Sequence, residues 1–295
     1  MNIARYWATA TARAEDPDGN PMEFTIRRGS DISQDDARHN AEDAAKAIAG
    51  RLRAGHEPPK WYEYSTRQLP EPILEEISDE SGQRAGAITI NRFGCEVLNT
   101  QRLAFLDIDL KPSRSRRGSG ALLGRLFGRG KAEQPTGDTT QIAVDGALSQ
   151  LKSWVRKQPR TGVRAYRTSA GLRYLFVSPA MDPMRALHEP VYEELGCDPL
   201  YRRLCVAQDC FRARLTPKPW RINVPTPREW RVDRLEAEPS YYDRWHESYL
   251  VKAGNYAACA YLDSFGETDA PVETAARLIA IHDERSGALS GMTLA

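Results

Sequence analysis

Apolar residues run without a break through Leu103-Ala104-Phe105-Leu106 and then alternate with carboxylates in Asp107-Ile108-Asp109-Leu110. A run of this kind predicts a strand buried on both faces. Residues two apart on a strand share a face and stand roughly 6–7 Å apart. Asp107 and Asp109 therefore point into one space, while Leu106, Ile108 and Leu110 turn to the core. Carboxylates are costly to bury unless they are paired or bound to a cation. Two of them at that separation suit one or two hard divalent cations, Mg²⁺ or Mn²⁺. Solvation at a strand end, or pairing with Arg, accounts for the same tripeptide equally well.

Upstream, short apolar and polar groups alternate around Asp16-Pro17-Asp18-Gly19-Asn20-Pro21, which reads as a hairpin or an irregular arm. Ser33, with Asp35 and Asp36 behind it, starts a helix in which Ala41, Ala44, Ala45, Ile48 and Leu52 recur at helical spacing. Residues 61–65 read as a short strand, 70–77 as a short helix and 87–90 as a strand. Asn91-Arg92-Phe93-Gly94 then turns the chain toward the Asp strand, which places the Asp pair on an antiparallel sheet and not on a Rossmann crossover. Downstream, 138–157 is a helix with Ile142, Leu148, Leu151 and Val155 facing inward. Strands 163–168 and 172–178 follow, joined by the tight bend Ser169-Ala170-Gly171. Residues 182–195 and 198–207 read as helical. Residues 211–216 alternate apolar side chains with Arg, a strand with one basic face, and Pro217, Pro219, Pro225 and Pro227 then hold the path extended. Helices at 241–252 and 272–282 close the chain. The expected fold is α+β, with an antiparallel-rich central sheet flanked by helices. It divides into an N-terminal part (1–84), an α+β region (85–225) and a C-terminal helical part (226–295).

Composition narrows the partners. The 295-residue chain is 41% hydrophobic and 27% charged, with a formal net charge of +1. Any argument for nucleic acid must therefore be local. One local feature is residues 111–131, with seven Lys or Arg, no acid and scattered glycines. The stretch 111–138 is accordingly expected to be a mobile basic insertion hinged on the Asp strand. No apolar run approaches the ~20 residues that span a bilayer, and the N-terminus lacks the apolar core of a signal peptide. A cytoplasmic protein without a membrane partner is expected. Cys95, Cys197, Cys205, Cys210 and Cys259 are spaced too irregularly for a disulfide framework, and the five histidines show no metal-ligand spacing.

Two further stretches carry candidate chemistry. The hairpin 164–173 concentrates Arg164, Arg167, Arg173, Ser169 and Gly171 at a bend, a reasonable cradle for phosphate or carboxylate. Residues 202–221 hold six Lys or Arg against one acid, Asp209, with Phe211 and Trp220 as flat surfaces on which a base could stack. Snorkelling Arg around ordinary core aromatics would give the same pattern.

In order, these stretches resemble the palm of the archaeo-eukaryotic primase and primase-polymerase superfamily. Phe105-Leu106-Asp107-Ile108-Asp109 is similar to its hhhDhD strand, Ser169-Ala170-Gly171-Leu172-Arg173 to its S-x-G-x-H hairpin, and Asp209 with Arg214-Leu215-Thr216-Pro217 to its third motif. The resemblance implies Asp107, Asp109 and Asp209 as metal-holding, catalytic carboxylates for Mg²⁺ or Mn²⁺. It implies Arg167, Ser169, Arg173, Arg214 and Lys218 as ligands of a nucleoside triphosphate or of nucleic acid. Metal-dependent nucleotidyl transfer is then one expected activity. The alternative is a non-catalytic regulatory or interaction protein on a degenerate palm. One departure bears on that choice: Arg173 stands where the family has His, keeping phosphate affinity but losing a group that titrates near neutral pH. The chain also resembles a bacterial family of unassigned function, which brings no activity with it.

Overall fold

The computed structural model describes residues 1–15, 19–56, 69–110, 137–158, 160–177, 183–227, 241–268 and 272–295. The expected strand at 61–65 and nearly all of the basic insertion lie outside them. The first elements are a hairpin, β1 (Tyr6–Glu15) and β2 (Pro21–Ser30), paired in register from Tyr6↔Ser30 to Glu15↔Pro21. Helix α1 (Gln34–Arg53) packs on this hairpin. The Ser33 side chain accepts from the Asp36 amide, acids fill the first turn and basic residues the last. Ala37, Ala41 and Ala45 are buried, and Ala45 joins Ala12, Phe24 and Ile26 in a small core of its own.

The rest is α+β, built on two antiparallel four-stranded sheets. One contains β3 (Ile73–Ser78), β4 (Arg84–Ile90), β5 (Glu96–Thr100) and β9 (Phe211–Arg214), in that spatial order. The other runs from β10 (Cys259–Gly266) through β7 (Gly162–Thr168) and β8 (Gly171–Phe176) to β6 (Ala104–Asp109). Helices α2 (Gly137–Val155), α3 (Pro183–Ala186), α4 (Val191–Glu194), α5 (Pro199–Gln208), α6 (Tyr241–Ala253) and α7 (Glu273–Ser286) complete the chain. The sheets recruit strands from all three stretches of the sequence, since β3 precedes residue 85 and β10 follows residue 225.

Three expectations change. Residues 70–77 do not form a helix: Ile73–Ser78 is the strand β3, and Pro72 disfavours helical backbone just before it. Register shifts between Ile73 and Glu75 and between Ile77 and Ser78 break the period of two that would have marked it. In α2, Ile142 is 71% exposed, while Val144, Leu151 and Val155 are buried. The buried side is the one expected, with Leu148 packed against the core, except that Val144 and not Ile142 leads it. The C-terminal part also contributes β10, an edge strand, besides its helices.

The edge strands β6 and β9 lie side by side, and side chains join them. The Tyr201 hydroxyl lies 3.3 Å from the carbonyl of Phe105 and 3.0 Å from that of Arg212. Tyr192 Oη also donates to Phe105 O, at 3.0 Å. Two open edges, which would otherwise invite foreign strands, are thus closed by tyrosines from α4 and α5. The main apolar core runs beneath, from Ile88 and Leu98 through Phe105 and Leu106 to Leu172, Leu175 and Leu278. Among the described residues no helix is long and apolar enough to cross a membrane.

Candidate functional site

The seam between β6 and β9 gathers most of the residues singled out from the sequence. Register places Asp107 opposite Arg173 and Arg173 opposite Tyr166, so the three form one row across β6, β8 and β7. Arg173 Nε donates to Asp107 Oδ1 at 2.8 Å and Nη2 donates to Oδ2 at 3.3 Å, the two-pronged geometry that guanidinium and carboxylate favour. Arg173 is 2% exposed and the Asp107 side chain 32%. Burial opposes the charge on Arg173, but the charge and hydrogen bonds of Asp107 outweigh it and raise its pKa.

Arg173 is held from behind as well. Its Nη1 donates to the Arg214 carbonyl at 3.0 Å and lies 3.3 Å from His282 Nε2. An N–H donor at that point calls for a lone pair on Nε2, so the proton sits on Nδ1, 2.9 Å from Asp283 Oδ1. Asp283 Oδ2 in turn accepts from Arg164 Nη2 at 2.6 Å. Cys259 Sγ is 3.9 Å from the same Nε2, giving a Cys–His–Asp order. Cys259 and His282 are fully buried, however, and Nε2 faces Arg173. The trio anchors an arginine; it offers no nucleophile to a substrate.

The other expected carboxylates fall apart from this row. Asp109 follows on the same face at the exposed end of β6, opposite Gly171. A side chain at Gly171 would put its Cβ 1.7 Å from Ile108 O, so only glycine lets the two strands approach there. Asp209 caps α5 in a left-handed conformation, just before β9 and at the end of it remote from Arg214. Its Oδ2 accepts from Gln101 Nε2 at 2.9 Å and lies 3.2 Å from the Met1 amino nitrogen. Among the described residues no three His, Cys, Asp or Glu side chains are placed to share a metal ion. The expected Asp107–Asp109–Asp209 set is therefore not assembled. With Asp107 already chelated by a guanidinium, these residues do not fit a resident Mg²⁺ or Mn²⁺.

The expected anion ligands divide too. Arg167 does not converge with Arg173. It is paired with Leu172, one residue out of step with the Tyr166–Arg173 pair, and so projects from the opposite face. Its Nη1 donates to Gly171 O, and burial lowers its pKa. Ser169 is exposed in the bend between β7 and β8. Arg212, expected on a basic face, is instead buried in an ion pair with Glu71, its Nη2 donating to both carboxylate oxygens at 2.8 and 2.7 Å. Phe211 is buried against Tyr192 and offers no stacking surface.

Arg214 and Lys218 behave differently. Together with Arg221 they form a cluster at the seam. Arg214 Nε and Arg221 Nη1 are buried without a hydrogen-bond partner among the described residues. All three pKa values are lowered, first by burial. The positive charges of Arg173 and Arg221 press further on Arg214, and those of Arg214 and Arg221 on Lys218. Asp109 is the acid that favours the charges of both Lys218 and Arg221. A buried guanidinium N–H left unpaired costs about 1–3 kcal/mol. The segment that carries it is nevertheless tightly fixed. Tyr249 Oη lies 2.7 Å from both Thr216 Oγ1 and Pro217 O, Lys252 Nζ donates to Asn223 O at 3.2 Å, and Trp245 Nε1 donates to Pro225 O at 2.8 Å.

Arg221 and His282 did not stand out from the sequence. Arg221 lay inside a basic stretch with nothing to separate it from its neighbours, and His282 sat on a helix 109 positions from its partner. No family model matches the chain, and neither the curated proteins nor the solved structures contain a match to it.

Proposed function

We propose that this protein binds phosphate groups of a nucleotide or nucleic acid at the β6–β9 seam. Its palm-like scaffold is one from which metal-dependent nucleotidyl transfer has been lost. The observation that carries the reading is the pair of buried guanidinium nitrogens, Arg214 Nε and Arg221 Nη1, without a partner among the described residues and beside Lys218. Such donors are normally satisfied in a native structure, and an oxyanion satisfies several at once. The loss of transfer chemistry rests on the ion pair of Arg173 with Asp107 and on the remote position of Asp209. In this reading the guanidinium supplies the positive charge that a metal ion would bring, permanently and without an open coordination site. The scaffold, with Asp107 on an antiparallel strand beside a small-residue bend, supports the likeness to primase-polymerase palms.

Titration of the protein with sodium tripolyphosphate, followed by thermal unfolding and calorimetry, tests this. Binding to the folded state should raise the melting temperature. Lys218→Ala with Arg221→Ala should remove the rise, whereas Arg102→Ala, an exposed arginine paired with Asp79, should not. A wild-type protein indifferent to tripolyphosphate would defeat the proposal.

A further inference from the structure

The seam cluster continues into a row of aromatic and cationic side chains that the ion-pair chemistry above does not use. Trp220 follows directly on Pro219 and is 46% exposed, unusual for so large an apolar ring. Lys218 Nζ lies 5.4 Å from the centre of the Trp220 ring. Phe93 meets that ring edge-on, with centroids 5.3 Å apart and planes at 80°. Arg92 lies over Phe93, its guanidinium carbon 4.5 Å from the ring centre. The order is cation, indole, phenyl, cation.

The row is built on rigid supports from both sides. Phe93 sits in the turn between β4 and β5. There the Asn91 side chain accepts from the amides of Phe93 and Cys95, and Gly94 takes a φ of 83°. A Cβ on Gly94 would lie 2.4 Å from the Trp245 ring, so α6 presses directly on the turn. Trp220 belongs to the short 3₁₀ turn Pro219–Ile222, anchored by buried Ile222 and closed by Asn223 in a left-handed conformation. Prolines 217 and 219 restrict the backbone before it. Little ordering cost remains when a ligand lands on such a surface.

We infer that this row receives a single-stranded nucleic acid, with an unpaired base against Trp220 and flanking phosphates on the Arg214–Lys218–Arg221 cluster and on Arg92. The inference rests on the seam being a phosphate site and adds the class of ligand. An indole that is 46% exposed offers a surface on which a base can stack, and base faces are available only in unpaired strands. Positive charge at both ends of the aromatic pair matches a strand, which carries phosphate on either side of each base. A free mononucleotide would engage one end alone, and a duplex would leave the indole without a partner.

The experiment uses the full chain and a fluorescein-labelled 12-nucleotide strand, as DNA and as RNA, read by anisotropy. Competitors are the matching duplex, a nucleoside monophosphate and sodium tripolyphosphate. Expected is binding of the single strands at least tenfold tighter than of the duplex. Trp220→Ala should weaken strand binding roughly tenfold, the scale of one stacked base, and leave tripolyphosphate binding unchanged. Trp220→Phe, which keeps a ring, should recover part of the loss and guards against a folding artefact. If tripolyphosphate binds but Trp220→Ala binds the strand as well as wild type, the stacking inference falls while the phosphate site stands. Equal affinity for duplex and single strand overturns it likewise. If neither strand nor tripolyphosphate binds, both readings fall.

Discussion

Arg173 on β8 stands directly opposite Asp107 on β6, and two hydrogen bonds of 2.8 and 3.3 Å join their side chains. The pair is asymmetric: the arginine is inside and the aspartate is a third exposed. Removing the aspartate strands a charge in the interior, whereas removing the arginine frees a carboxylate that water can still reach.

That asymmetry has a measurable form. Asp107→Ala should lower stability by about 3–5 kcal/mol, the scale for breaking a buried ion pair from one side. Arg173→Met should cost less, because the apolar chain fills the site and the released carboxylate turns to solvent. Combining Asp107→Ala with Arg173→Met should recover much of either loss, since apolar replacement of a buried pair is often near neutral. Urea denaturation of the three variants decides; strictly additive losses would mean that the pair carries no coupling.

Divalent cations give a second check on the same pair. With Asp107 chelated and Asp209 engaged by Gln101 and the Met1 amine, millimolar Mn²⁺ should leave the wild-type melting temperature where it was. A rise of several degrees, abolished by Asp107→Asn with Asp109→Asn, would return the carboxylates to the role of metal ligands.

Local signals in the sequence carried well where neighbours in the chain decide the outcome. Helix α1 begins at its Ser33 cap and buries the alanines that its spacing marked. The bend at Ser169-Ala170-Gly171 and the apolar run into Asp107 also fall where expected. Distance along the chain obscured the rest. Arg212 alternates like a solvated strand residue, yet Glu71, 141 positions earlier, draws it inside. Arg173 looked free to meet a ligand because its partners Asp107 and His282 are 66 and 109 positions away. Strand β3 was hidden because its two register shifts break the alternation by which strands are recognised.

Asp109 tunes the proposed phosphate site. It is exposed at the end of β6, and its charge favours those of Lys218 and Arg221, so it competes with any incoming anion. Asp109→Asn should strengthen tripolyphosphate binding by about two- to fivefold at low salt, the range of a solvent-screened charge interaction. The gain should shrink as salt is added. An unchanged affinity at low salt would place Asp109 outside the field of the cluster.

Acid titration probes the buried chain behind Arg173. Burial alone would raise the pKa of Asp283, but its hydrogen bond with His282, together with the charge of Arg164, lowers it below the ordinary carboxylate value. A carboxylate with a depressed folded-state pKa contributes stability that is fully present above its unfolded pKa of about 3.9 and is lost as pH falls through the folded value. Wild type should therefore lose stability steeply below about pH 4. Asp283→Asn cannot lose that contribution, because it has none. It should be less stable at pH 7 by about 1.5–3 kcal/mol, the scale of hydrogen bonds to a charged group, and its stability should fall less between pH 5 and pH 2. Loss of the aspartate should also loosen His282 and, through Nε2, the seat of Arg173, so tripolyphosphate affinity should drop alongside stability. Parallel pH–stability curves for the two proteins would show that Asp283 is not ionised against these partners, and the chain from Arg164 to Asp107 would lose its electrostatic link.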